Sequence, residues 1–289
     1  MFKTALVALD LFDLAPACKP LLACVPELRD WGVDKVVLAH VIDVGYGHSV
    51  VGGHEQYYLA ELQDCALPLR AAGFAVDLVV RDAGAPADAL LSLADEAAAD
   101  LVVIGSRSQN VVTRLFLGGT ARAVIRKTRR PLLLEWLEPG ADAGSVDCAA
   151  VCHELRRKVL LATDFSRHAS AAERAAIALV KRGRPTDCLH VMSEAERAAR
   201  PAWPIMARAA LGDLVDRVHA GGGTGRSLLE EGVPAESIAR VARGGDYSLV
   251  VVGKHGQNWV ETMLIGSTAA RVCETAGRPV LMVPLPREG

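Results

Sequence analysis

Residues 249–268 read LVVVGKHGQNWVETMLIGST, and residues 101–120 read LVVIGSRSQNVVTRLFLGGT. Each begins with an apolar, β-branched run of strand length, crosses a polar loop punctuated by glycine, and closes on Gly-Ser-Thr or Gly-Gly-Thr where a helical period resumes. The two stretches superpose without a gap. The match extends to 84–134 against 232–282, with roughly a third of positions identical. Its landmarks are Gly84 with Gly232, Pro86 with Pro234, Gly105 with Gly253, Gln109-Asn110 with Gln257-Asn258, Gly118 with Gly266, Thr120 with Thr268, and Arg130-Pro131 with Arg278-Pro279. Upstream, TALVALD (4–10) pairs with KVLLATD (158–164), and VVLAHV (36–41) with DCLHV (187–191). The chain therefore reads as one α/β domain written twice.

Within each half, strands alternate with helices, the pattern of an open, mostly parallel sheet covered on both faces. In the second half strands are expected at about 157–163, 187–192, 225–230, 248–252 and 279–284. Helices are expected after Asp164-Phe165-Ser166, with Ser166 as N-cap, as one long run to about residue 220, from Pro234, and from about 267. Five strands per half give two tandem Rossmann-like domains, 1–138 and 155–289. The stretch from Pro139 to Ala150 is rich in Gly, Ala, Asp and Ser with no period and reads as the linker. In the first half Pro20 and Pro26 interrupt the run from Ala17 to Trp31, which predicts a kinked or broken helix.

Composition agrees with this class. The 289 residues suit two domains of ordinary size, and 51% hydrophobic with only 4% aromatic residues suits helix-covered parallel strands. A formal net charge of -2 and the absence of a long basic run argue against a nucleic-acid partner. Seven scattered cysteines do not form a disulfide framework, and no apolar window is long enough to span a bilayer. A cytoplasmic protein with reduced thiols and no membrane partner is expected.

The chemistry is expected in the loop 253–268. Gly253 and Gly256 would let the backbone take positive φ and approach a ligand, while Gly266, Ser267 and Thr268 would present free N–H groups and a hydroxyl at a helix N-terminus. Such an end attracts phosphate. A strand-to-helix connection that merely needs glycine, and an Asp164 that only caps its helix, are the structural alternatives.

The two repeats, the Asp after the first strand, the valine ending the second and the spaced glycine loop resemble the universal stress protein family in its tandem form, over nearly the whole chain. In ATP-binding members the loop holds ribose and phosphates, the first-strand Asp and its neighbours flank base and ribose, and the valine contacts adenine. The resemblance thus implies an adenine nucleotide (ATP, ADP or AMP) held by Ala162, Thr163, Asp164, Val191, Gly253, His255, Gly256, Gly266, Ser267 and Thr268. Mg²⁺ is a candidate companion ion, although no carboxylate cluster is evidently placed for it. The first half departs from the pattern, with Ser108 where the second glycine belongs and Gly119 in place of the hydroxyl. Its site is expected to be degenerate, although Asp10 and Val41 remain. Single-domain members dimerise through their last strands, here PLLLEWL (131–137) and PVLMVPL (279–285), so the halves are expected to form a pseudo-dimer, with further homodimerisation open.

A stress-response binding module that changes state with nucleotide occupancy is the leading reading, and no catalytic residue is assigned. There is no Walker lysine, so any ATP hydrolysis should be slow. A scaffold or signalling module without nucleotide is the alternative. A hydrolase or ligase would want a serine-glycine phosphate loop after the first strand, where LDLFD and TDFSR stand instead. Gly221–Ser227 mimics a P-loop but follows a helix and opens a strand, so it reads as a connector. His48, His54 and Glu55, and Cys148, Cys152 and His153, lack a tetrahedral ligand set.

Overall fold

The computed structural model describes residues 1–11, 18–44, 54–106, 117–139, 148–150, 155–180, 183–257, 260 and 262–286. The chain forms two compact units, Met1–His153 and Glu154–Gly289.

In the first unit, β1 (Thr4–Ala8) is followed by α1 (Cys18–Cys24), a 3-10 helix (Val25–Trp31), β2 (Lys35–Asp43), α2 (His54–Ala71), β3 (Ala75–Ala83), α3 (Pro86–Glu96), β4 (Leu101–Gly105), α4 (Gly119–Lys127) and β5 (Leu132–Glu135). These strands pair in the order β3-β2-β1-β4-β5, all parallel. The run from Ala17 to Trp31 does break: Pro26 sits in the first turn of the 3-10 helix, where its missing N–H costs nothing. Two short strands, β6 (Leu137–Pro139) and β7 (Cys148–Ala150), pair antiparallel, so the ends of the supposed linker are ordered as a ladder. That pairing is held by backbone bonds, which composition does not reveal.

The second unit contains β8 (Val159–Ala162), α5 (Ser170–Ala178), β9 (Thr186–Met192), α6 (Glu194–Ala199), α7 (Trp203–Ala220), β10 (Ser227–Glu231), α8 (Pro234–Gly244), β11 (Leu249–Gly253), α9 (Ser267–Thr275) and β12 (Val280–Val283). The order is β10-β9-β8-β11-β12, again all parallel. The single long helix expected up to residue 220 is two helices, because Pro201 cannot continue α6 and disfavours a helical Arg200. Gly221–Ser227 joins α7 to β10, as a connector should.

The duplication is exact in register over its C-terminal part. α3 and α8, β4 and β11, α4 and α9, and β5 and β12 occupy corresponding residues with no shift. Strands β4 and β11 are buried along their lengths except for the final glycine, the mark of sheets covered on both faces. Helix α9 lays Ala269, Val272 and Cys273 against the core at helical spacing. Burying Val272 contributes roughly 1.5–3 kcal/mol relative to leaving it in water. This packing fixes where α9 begins, and hence where its N-terminal amides point.

Candidate functional site

In the second unit the chain leaves β8 toward β9 on one side, while β11 lies on the other side of β8. The winding reverses there, and open α/β sheets form ligand crevices at the carboxyl ends of strands at such a switch point. A cleft of about 410 Å³ lies at that place, lined by residues that include Ala162, Thr163, Asp164, Val191, Gly253, His255, Gly256, Gly266, Ser267 and Thr268. The structure therefore brings all ten sequence-predicted site residues to one cavity. It adds Lys254, Ser193, Glu196, Pro234 and Ile238, which sequence reasoning missed.

Strand β8 supplies the floor. Ala162 pairs with Leu189 on one side and Val252 on the other, and the Thr163 N–H continues the ladder to the Leu189 carbonyl at 2.9 Å. The Thr163 hydroxyl donates to Glu173 Oε1 at 2.7 Å and accepts the Phe165 N–H at 3.0 Å. Asp164 then ties two segments together. Its Oδ1 accepts the Ser166 N–H at 3.0 Å, and its Oδ2 accepts the Gln257 N–H at 2.8 Å. The Gln257 side-chain amide answers by donating to the Asp164 carbonyl at 2.6 Å. Ser166 is not the N-cap of α5: its hydroxyl accepts the Ala169 N–H at 3.1 Å, closing a turn that precedes the helix start at Ser170.

This geometry corrects the reason given for the glycines. Neither Gly253 nor Gly256 has positive φ. A Cβ on Gly256 would instead overlap Asp164 Oδ2, and a Cβ on Gly253 would meet Ala169 Cα at 3.2 Å. The close approach that demands glycine is between two parts of the protein. Left-handed strain thus gives no reason for Ser108 to weaken the first-half site, and Ser108 itself lies outside the described residues.

The polar end of the cleft is the start of α9. The Gly266 N–H is not free, as expected from sequence, but donates to the Lys254 carbonyl at 2.9 Å, folding the loop back on itself. The first helical bond runs from Ala270 N–H to the Gly266 carbonyl at 3.0 Å. Ahead of it, the amides of Ser267, Thr268 and Ala269 meet no protein acceptor among the described residues. Three open donors at the positive end of a helix dipole attract an anion with about 0.3–1 kcal/mol from the dipole alone, more where partly buried. Lys254, 4% exposed, adds a cation to the same wall. His255 donates from Nε2 to the Leu264 carbonyl at 3.2 Å. Burial holds its imidazole below the usual histidine pKa against the pull of that bond, with Lys254 and His168 adding to the lowering.

Leu189, Val191, Pro234 and Ile238 make part of the lining apolar. His190 is fixed in one tautomer. Trp203 Nε1–H can only donate, and it points at His190 Nε2 at 3.1 Å, so the proton sits on Nδ1, which donates to the Thr163 carbonyl at 2.9 Å. Phe165, held at φ 57°, stacks on the same imidazole at 4.8 Å between centroids. Ser193 and Glu196 form a reciprocal capping box at the start of α6. The Ser-x-x-Glu spacing after a strand was the sequence signal that could have found them.

The profile of the universal stress protein family matches residues 1–134 and again 155–284. The chain belongs to the universal stress protein family. A universal stress protein of Mycolicibacterium smegmatis is 28% identical over 193 residues, 64% of this chain and 62% of that protein. Universal stress protein MJ0531 of Methanocaldococcus jannaschii is 41% identical over 58 residues, 20% of this chain and 34% of that protein. These matches thus span less than two thirds of the relatives' own lengths. The crystal structure of a universal stress protein from Archaeoglobus fulgidus aligns over 97% of this chain and 96% of its own, with a TM-score of 0.70 at 21% identity.

This universal stress protein repeats the scaffold of the site in its first unit. Gly118 (φ -57°, ψ 150°) and Gly266 (φ -69°, ψ 145°) take the same conformation ahead of their helices. Gly118 N–H donates to the Ser106 carbonyl at 3.2 Å, as Gly266 does to Lys254. His40 Nδ1 meets the Leu9 carbonyl at 3.0 Å, as His190 meets that of Thr163. The linings differ. Leu9 replaces Thr163, Ser106 replaces Lys254, Gly119 replaces Ser267, and Glu135 stands where the second unit has Val283. Among the described residues no group of three or more His, Cys, Asp or Glu could hold a metal ion, and no helix is long and apolar enough to cross a membrane. His48, Cys152 and His153 lie outside the described residues.

Proposed function

We propose that the second unit holds an adenine nucleotide (ATP, ADP or AMP) in the switch-point cleft, and that the chain works as a regulatory binding module in a stress response. The observation that carries this reading is the mixed lining of the cleft: open amide donors at the start of α9 and a lysine, together with the apolar side chains of Leu189, Val191, Pro234 and Ile238. A phosphate chain matches the first and a purine the second. Membership of the universal stress protein family supports it. Asp164 Oδ1 and Oδ2 are each engaged by a backbone amide, so Mg²⁺ would arrive on the nucleotide's own phosphates.

A scaffold role without nucleotide is the second reading. It is favoured by the self-sufficiency of the loop, which Asp164, Gln257, His255 and Lys254 hold closed with no ligand. Calorimetric titration of the full chain with ATP decides between them. Saturable binding at one site supports the nucleotide reading; no saturable heat up to millimolar ATP removes it in favour of the scaffold.

A further inference from the structure

Glu196 lines the cleft together with Val191, Pro234 and Ile238. Its carboxylate is not free to turn. Oε2 accepts the Ser193 N–H at 2.9 Å and the Ser193 hydroxyl at 2.8 Å, while the Glu196 N–H donates to Ser193 Oγ at 3.2 Å. Every one of these bonds falls on Oε2 or on the backbone. Oε1 meets no protein donor among the described residues, and it is a pure acceptor.

An anion at this position repels phosphate, and the open amides and Lys254 at the start of α9 attract it, so the two ends of a nucleotide are sorted. With the phosphates on Ser267–Ala269, the base is left to the apolar residues Val191, Pro234 and Ile238, which share the cleft lining with Glu196. What a carboxylate oxygen can take from a purine edge is an N–H. We propose that Glu196 is a specificity-determining residue whose Oε1 accepts a hydrogen bond from the exocyclic 6-amino group of the base, selecting 6-amino over 6-oxo purine nucleotides. The inference rests on the nucleotide reading and goes beyond it by naming the group that chooses the base.

The capping box makes the test sharp. In Glu196→Gln the amide carbonyl is still required by Ser193, since glutamine also completes such a box, so the –NH₂ takes the place of Oε1. An acceptor becomes a donor with the fold of α6 preserved. Calorimetry with ATP and with ITP, on wild type and on Glu196→Gln, reads the consequence. Wild type should bind ATP at least tenfold tighter than ITP, because a site built to bond a polar group rejects an analogue that cannot supply it. Glu196→Gln should erase or reverse that ratio. Equal affinities in wild type, a preference for ITP, or an undiminished ATP preference in Glu196→Gln would each overturn the assignment of Glu196 alone. Failure of both nucleotides to bind at all would instead remove the nucleotide reading, and this inference with it.

Discussion

Gly256→Ala tests why the loop needs glycine. The added Cβ overlaps Asp164 Oδ2, the oxygen that holds the Gln257 N–H at 2.8 Å. Relief requires the carboxylate to swing away or the loop to lift, and either movement breaks that bond. A hydrogen bond to a charged group is worth about 1.5–3 kcal/mol, and Asp164 is only half-buried, so a loss near 2 kcal/mol is expected. The partner is a single side chain, so the cost should depend on it. In an Asp164→Ala background the obstacle is gone, and Gly256→Ala should then cost well under 1 kcal/mol. Urea unfolding of the four proteins, with hydrogen exchange at the Gln257 amide as a local probe, gives the double-mutant cycle. A coupling of at least 1 kcal/mol is predicted. Additive costs within about 0.5 kcal/mol would refute the steric account.

Two further outcomes follow from the geometry. Burial pushes the Glu135 carboxyl up from 4.5 to about 8, against the neighbouring Cys24, which lowers it, and with Glu27 raising it further. A raised folded pKa stabilises fully below 4.5 and is lost as pH rises to about 8, so Glu135→Gln should gain on wild type by about 3 kcal/mol at pH 7 in urea unfolding; parallel pH profiles would contradict this. Burial likewise pushes the Cys188 and Cys273 thiols up to about 12, so iodoacetamide should leave both unmodified in the native chain and label them only after unfolding.

The fold was largely legible because a duplicated sequence reports its own architecture. Strand identity in LVVIG and LVVVG, and the helix starts just after Gly118 and Gly266, came through from apolar runs and glycine spacing, since those features are local. The cleft was legible as a set of residues but not as a mechanism of assembly. Nothing local in Gly256 says that its neighbour is Asp164, so positive φ was inferred where a tertiary contact operates. The Gly266 amide was read as open because its acceptor, the Lys254 carbonyl, becomes available only when the loop folds back. Two misses were readable after all: Pro201 marks the break between α6 and α7, and Ser193 with Glu196 spells a capping box.

The central claim is that the second unit's cleft receives an adenine nucleotide with its phosphates on α9. A crystal structure of the full chain grown with millimolar ATP tests it most directly. The account predicts density for the phosphates at Ser267, Thr268 and Ala269, with the base between Val191 and Ile238. A second-unit cleft holding only water at that concentration, or a nucleotide lying with its phosphates toward Glu196, would contradict it.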